Sequence, residues 1–258
     1  IDPYHLEAYG KSTVNYNRDV EVFPLLNAIF RSILGESPYK SPTDMGVNMA
    51  GFCISDDEVV CEAAKQEIVR RYYSALCDKR QGKCGDEPVY KIELLMDKAG
   101  VHIGDRRVTT AAKEKAELTG MPASAIELPD GRIVTGKTSA LFGASSSVLL
   151  NAIKELAGID DDIDLIARSV IEPVQMLKTE YLGNHNPRLH SDETLVALSV
   201  SAATNPTAKR AMKELSALRG CQAHSSVILS QVDVQTFRKL GIQLTCEPQY
   251  QTRKLYHK

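Results

Sequence analysis

Leu128-Pro129-Asp130-Gly131-Arg132-Ile133-Val134-Thr135-Gly136-Lys137-Thr138 is the stretch that decides how this chain folds. From Gly131 onward it fits G-x-x-x-x-G-K-[ST]. That is the pattern of a phosphate loop, in which backbone N–H groups cradle phosphate, Lys reaches the outer phosphates and Thr holds Mg²⁺. The surroundings favour another conformation. Gly131 follows Asp130 in a strong hairpin-turn pair, and Ile133 and Val134 are β-branched. Ala123 to Leu128 reads as a strand before the turn, and Arg132 to Thr135 reads as its return. A phosphate loop passes directly from strand to helix, whereas the next helical pattern here begins near Ser145. The stretch is predicted to be a hairpin, with Lys137 and Thr138 placed at the strand's end, where a pocket can form.

Working outward, helices are predicted at 17–34, 56–81, 87–99 and 107–119, with glycines closing several of them. A capping box is expected between Ser55 and Glu58. After the hairpin come a helix at 145–157 and a short strand at 163–167. A helix at 169–181 follows, with Pro173 assigned to its first turn, and then a helix at 191–203. Asn205-Pro206 starts another helix, Asn205 as cap and Pro206 as its first residue. The end reads as strand 223–229, helix 231–240 and strand 242–246, a β-α-β unit that favours an open sheet covered by helices. The fold class is α/β, α+β overall. A mainly helical domain at 1–120 precedes a mixed-sheet α/β domain at 121–258.

Composition sets the function classes aside in turn. The chain has 258 residues, 43% apolar and 25% charged, with a net charge of −2. Such a chain can bury a sizeable core, and its spread-out basic residues do not point to nucleic acid or an anionic membrane. No apolar run reaches the ~20 residues that cross a bilayer, and the first residues are unlike a signal peptide. A cytoplasmic location is expected. The start without Met suggests a fragment. The six cysteines are expected to be free thiols, since a chain of this length does not need staples.

Four places carry residues suited to chemistry. Lys137 and Thr138 close the hairpin. Arg219-Gly220-Cys221-Gln222-Ala223-His224 lies between a helix and a strand. Cys221 and His224 suit a metal pair or a thiol–base pair, but zinc needs three or four ligands and no set is complete, so no metal is assigned. The alternative is a buried thiol and a histidine bonded to backbone. The loop Tyr39–Asn48 offers Lys40, Thr43, Asp44 and Asn48, and Arg18 sits in Asn15-Tyr16-Asn17-Arg18-Asp19. These groups suit a polar ligand or serve as helix caps.

Several phrases together resemble one family: Val14-Asn15-Tyr16-Asn17-Arg18-Asp19-Val20-Glu21-Val22-Phe23-Pro24, Ser41-Pro42-Thr43-Asp44-Met45-Gly46-Val47-Asn48, Ile133-Val134-Thr135-Gly136-Lys137-Thr138-Ser139 and Ala223-His224-Ser225. The chain is similar to the C-terminal half of a family of uncharacterised bacterial cytosolic proteins, a domain of unknown function. The resemblance implies that an N-terminal half with a phosphate-loop-like segment is absent here. It also implies an α/β portion of cytidine-deaminase-like topology, but no activity. Zinc deaminases need His-x-Glu or Cys-x-Glu at a helix start and a later Pro-Cys-x-x-Cys. The matching helix here begins Ser145-Ser146-Ser147-Val148, and no Pro-Cys-x-x-Cys occurs. The layout is expected without zinc deamination.

Two readings follow. In the first, the chain is a binding or enzymatic module for a phosphate-bearing, nucleotide-like small molecule and acts with the absent half. Arg18, Lys40, Thr43, Asn48, Lys137, Thr138 and Arg219 would bind, while Asp44 and His224 would carry acid–base work. In the second, it is a non-catalytic module that supports the absent half or forms a homo-oligomer. No cofactor is indicated.

Overall fold

The Asp130-Gly131 pair does reverse the chain. In the computed structural model, which describes residues 17–39, 45 and 57–251, strands β1 (Ala123–Glu127) and β2 (Ile133–Lys137) form an antiparallel hairpin. The Gly131 N–H donates to the Leu128 carbonyl at 2.9 Å, and Asp130 Oδ1 accepts the Arg132 N–H at 3.0 Å. Gly131 has φ +82°, a conformation that a side chain makes costly. The phosphate-loop look-alike is therefore pleated backbone. Its second glycine has a packing reason: a Cβ on Gly136 would come within 2.3 Å of the Val148 backbone nitrogen. Only glycine lets β2 approach the next helix this closely.

The sheet has the order β2-β1-β3-β4. β3 (Gln222–Ser225) runs antiparallel to β1, and β4 (Gln243–Cys246) runs parallel to β3. Consequently β2, β3 and β4 all point the same way. Ala125, His224 and Thr245 share one face by register, whereas Ile126, Ala223 and Leu244 share the other. Helix α4 (Arg107–Thr119) covers the first face, where Val108 and Ala112 pack on Ala125. Helix α5 (Ala144–Leu156) covers the second. There Val148, Leu149 and Ile153 join Ile126, Ala223 and Phe237 in the main core. Ile126, Ile153 and Phe237 are fully buried, each contributing about 1.5–3 kcal/mol of transfer free energy.

Around α5 lie α6 (Arg168–Met176), α7 (Ser191–Ala202), α8 (Pro206–Lys213) and α9 (Gln231–Leu240), the last joining β3 to β4. Asn205 caps α8 as expected, its side chain accepting from the Thr207 and Ala208 N–H groups.

Three local expectations are corrected. Residues 163–167 form a loop rather than a strand. Leu165 and Ile166 still reach the core, while Lys154 Nζ donates to the Asp161 carbonyl at 2.6 Å. Pro173 lies inside α6 rather than in its first turn, and the helix continues as a π turn, Leu177–Tyr181. The strand expected at 223–229 leaves the ladder after Ser225, because the Ile228 N–H turns to the Gln249 carbonyl at 2.7 Å.

The chain divides into two compact units, 1–106 and 107–258, and the sheet belongs to the second. In the first unit are α1 (Asn17–Leu34), α2 (Asp57–Arg80) and α3 (Glu87–Ala99). There Ile68, Val69, Tyr73, Met96 and Val101 form a separate core. Gly100 closes α3 at φ 60°. Ser55 and its capping box fall outside the described residues. Among the described residues, no helix is long and apolar enough to cross a membrane.

Candidate functional site

In an open α/β sheet, a crevice forms where strands pointing the same way deliver their following loops. Here the residues after β2, β3 and β4 line one cavity of about 210 Å³. Thr138 and Gly143–Ser145 follow β2, Val227–Ser230 follow β3, and Tyr250 and Gln251 follow β4. The segment 184–190 closes another side. It is held against the β2–α5 loop, the Leu189 N–H donating to the Leu141 carbonyl at 2.9 Å and Ser146 Oγ donating to the Leu189 carbonyl at 2.9 Å.

Three helices begin at this cavity: α5 after Gly143, α7 after His190 and α9 after Ser230. Each start presents unpaired N–H groups and a partial positive charge. Asp233, in the first turn of α9 and 4% exposed, answers all three. Its Oδ1 accepts from Ser145 Oγ at 2.9 Å, from the Ser191 N–H at 2.9 Å and from the Ser191 hydroxyl. Its Oδ2 meets His190 Nδ1 at 3.0 Å and accepts from Ser230 Oγ at 2.7 Å. Burial alone would push this carboxyl up. The His190 hydrogen bond and charge, with the Ser191 and Ser230 hydroxyls, outweigh burial and hold it well below the usual carboxylate range. In return the Asp233 hydrogen bond raises His190 above its ordinary value. Burial and Lys178 oppose that rise, and the charges of Asp233 and Glu193 support it.

Asp233 engages Nδ1, Nε2 is the other ring nitrogen, and His190 lines the cavity.

The remaining cations are arranged differently. Lys178, 3% exposed, donates to Glu193 Oε2 at 2.7 Å and to the Arg188 carbonyl at 2.6 Å. Its charge is thus matched. Arg188 is half-buried on the cavity wall, and its Nε donates to the Ser139 carbonyl at 2.8 Å. It makes no ion pair with a carboxylate among the described residues.

Of the sequence-predicted site residues whose side chains are described, Thr138 alone lines this cavity. Lys137 is exposed at the end of β2, and Arg219 is exposed beside Gly241. His224 is fully buried on the face covered by α4, opposite α5. Its Nδ1 lies 2.8 Å from Thr245 Oγ1 and its Nε2 lies 3.2 Å from Glu247 Oε1. Glu247 in turn pairs with Lys113 at 2.8 Å. Cys221 does not reach His224. Its thiol donates to the Ala217 carbonyl at 3.7 Å, and burial raises its pKa. The side chains of Arg18, Lys40, Thr43, Asp44 and Asn48 lie outside the described residues. Cys77, Cys84, Cys221 and Cys246 are free thiols.

Sequence reasoning missed Asp233, His190, Arg188 and Lys178. The available signal was Ser230-x-x-Asp233, a cap and a first-turn acid, with His190 just before the Ser191 helix.

Comparison with known proteins gives the chain a family. Residues 1–100 match Domain of unknown function DUF1846, N-terminal, and residues 104–256 match Domain of unknown function DUF1846, C-terminal. A UPF0371 protein of Corynebacterium efficiens is 58% identical over the whole chain, which covers 52% of that relative. UPF0371 proteins of Corynebacterium urealyticum and Streptococcus thermophilus are 56% and 57% identical, again with 52% of each relative covered. The chain therefore spans about half the length of the curated relatives it matches. The expectation that it is a C-terminal half lacking the N-terminal part is corrected, since residues 1–100 match the N-terminal domain. The chain belongs to the DUF1846 family.

Proposed function

We propose that the cavity at the ends of β2, β3 and β4 binds a phosphate-bearing small molecule. The observation that carries this is Arg188: a half-buried guanidinium without a carboxylate partner among the described residues, in a cavity where three helices begin. A guanidinium group is a common way of holding phosphate, whereas the helix starts here already face the Asp233 carboxylate. Nε of Arg188 is already fixed by the Ser139 carbonyl, which leaves its terminal N–H groups for a planar two-point contact. A volume of about 210 Å³ falls below the roughly 300–1,000 Å³ of pockets that enclose drug-sized ligands. It suits phosphate with a sugar-sized body better than a whole enclosed nucleotide. The deaminase-like layout belongs to the same proposal, supported by the antiparallel β1–β2 hairpin beside a parallel β3–β4 pair.

A thermal-shift screen of the chain tests this, using inorganic phosphate, ribose 5-phosphate, glucose 6-phosphate, AMP and ATP, each with and without Mg²⁺. Sugar phosphates raise the Tm of the wild type and leave Arg188→Ala unmoved. A panel without any shift overturns the reading.

A second reading, a non-catalytic assembly module, draws on α1. Val22, Leu25, Ile29 and Ile33 are exposed and follow helical spacing. The occupant proposed for this stripe is the further length that the curated relatives carry beyond the matched span. Light scattering of the chain with and without Ile29→Asp separates this from self-association. A wild-type monomer agrees with the proposal, and a dimer lost on substitution assigns the stripe to a second copy.

A further inference from the structure

The cavity contains a second group able to meet a phosphate, provided that it carries a proton. We propose that protonated His190 is the second cationic contact of the site, so that the cavity selects phosphate monoesters, taken as dianions. This rests on the phosphate-binding reading above and sharpens it to one ligand charge state.

The geometry fixes the imidazole before any ligand arrives. Asp233 takes Nδ1 at 3.0 Å, and Asp233 is itself held by Ser145, Ser191 and Ser230. An acceptor at Nδ1 places a proton there, so the charge state of the ring is decided at Nε2. Neutral Nε2 presents a lone pair, which repels phosphate oxygens. Protonated Nε2 presents an N–H, which donates to them. The choice is therefore attraction or repulsion at the same atom.

The charged groups around the ring come from each element packed there. Asp233 lies on α9, and Glu193 lies one turn along α7 from its cap. Lys178 comes from the π turn, while His185 and Arg188 come from the segment before α7. Lys178 is matched by Glu193 at 2.7 Å. Asp233 is left to support the imidazolium, and burial of the ring and Lys178 oppose it. The raised His190 pKa agrees with the support prevailing.

Phosphate monoesters lose their second proton at a pKa of about 6. A dianion and a protonated His190 thus coexist over a window just above that value. Phosphodiesters remain monoanions throughout, and they gain less from the second cation.

Calorimetric titration with ribose 5-phosphate from pH 5.5 to 9 tests the proposal. Affinity rises as the phosphate loses its second proton, then falls as pH passes through the pKa of His190. His190→Gln removes the alkaline limb and weakens binding by about tenfold at pH 6.5, the value of one charge-assisted hydrogen bond. A phosphodiester of the same sugar shows no affinity maximum. NMR of the His190 ring in the wild-type chain gives a readout independent of the variant's folding: saturating ribose 5-phosphate raises its pKa by linkage. Binding that shows the same pH profile in both proteins, or a ring titration unmoved by ribose 5-phosphate, overturns this inference and leaves the phosphate-binding reading intact. Absence of binding at every pH, for inorganic phosphate and all esters alike, overturns both.

Discussion

Asp233 Oδ2 stands 3.0 Å from His190 Nδ1, and this contact ties the cap of α7 to the first turn of α9. With Ser145 on Oδ1, one carboxylate joins three helix starts that are far apart in sequence.

Removing that carboxylate strands several donors at once. Asp233→Ala is expected to cost about 3–5 kcal/mol, because buried polar groups and a charged partner lose their acceptor. Asp233→Asn keeps the shape but gives up the charge, at about 1–3 kcal/mol. Urea denaturation of both variants measures the two costs and their order.

The same pair sets a pH window for stability. His190 is raised above its ordinary 6.5, so its contribution is complete below about 6.5 and fades as pH climbs through the higher folded value. Asp233 is depressed below its ordinary 3.8, so its contribution is complete above about 3.8 and fades on acidification through the lower folded value. The stability from this pair is therefore greatest between those two ordinary values. Urea midpoints collected from pH 3 to 9 show a plateau there, and Asp233→Asn flattens it.

Two glycines of the hairpin differ sharply in what they tolerate. Gly131→Ala places a side chain at φ +82°, at a cost of about 1 kcal/mol. Gly136→Ala drives a Cβ into the Val148 backbone at 2.3 Å, and overpacking without room to yield costs about 1–3 kcal/mol or more. Thermal melts are expected to show the larger Tm loss for Gly136→Ala.

Lys178 holds the wall of the cavity from within. Lys178→Met keeps the apolar stem but leaves Glu193 with the His190 N–H and no cation, and the Arg188 carbonyl without its Lys178 donor, at about 1–3 kcal/mol. Hydrogen exchange provides the local readout. Amides across 184–190 exchange faster, including Asn184, whose N–H donates to the Lys178 carbonyl at 2.9 Å.

What the sequence disclosed was whatever local chemistry decides. Asp130-Gly131 announces its turn, Asn205-Pro206 announces α8, and the glycine at 100 stops α3. The β3–α9–β4 unit follows from periodicity over one short segment. The strand expected at 163–167 failed because Leu165 and Ile166 are apolar for core packing rather than for pleating. The site was hidden for another reason. Ser145, His190 and Asp233 each read as ordinary residues near a helix start, and nothing local says that the three starts meet. Conversely, His224 is conspicuous in sequence, yet strand register turns it toward α4, with Thr245 and Glu247 as its neighbours.

The shared direction of β2, β3 and β4 has a consequence for how such a protein can change. All three strands deliver their loops to one rim, while the packing that keeps the chain folded lies behind, between sheet and helices. Exchanges at Leu229 or Gln251 alter what the rim accepts at little expense to the interior. Asp233 and Lys178 serve both, and a lineage seeking a new specificity has the exposed positions on that rim open to it before these two.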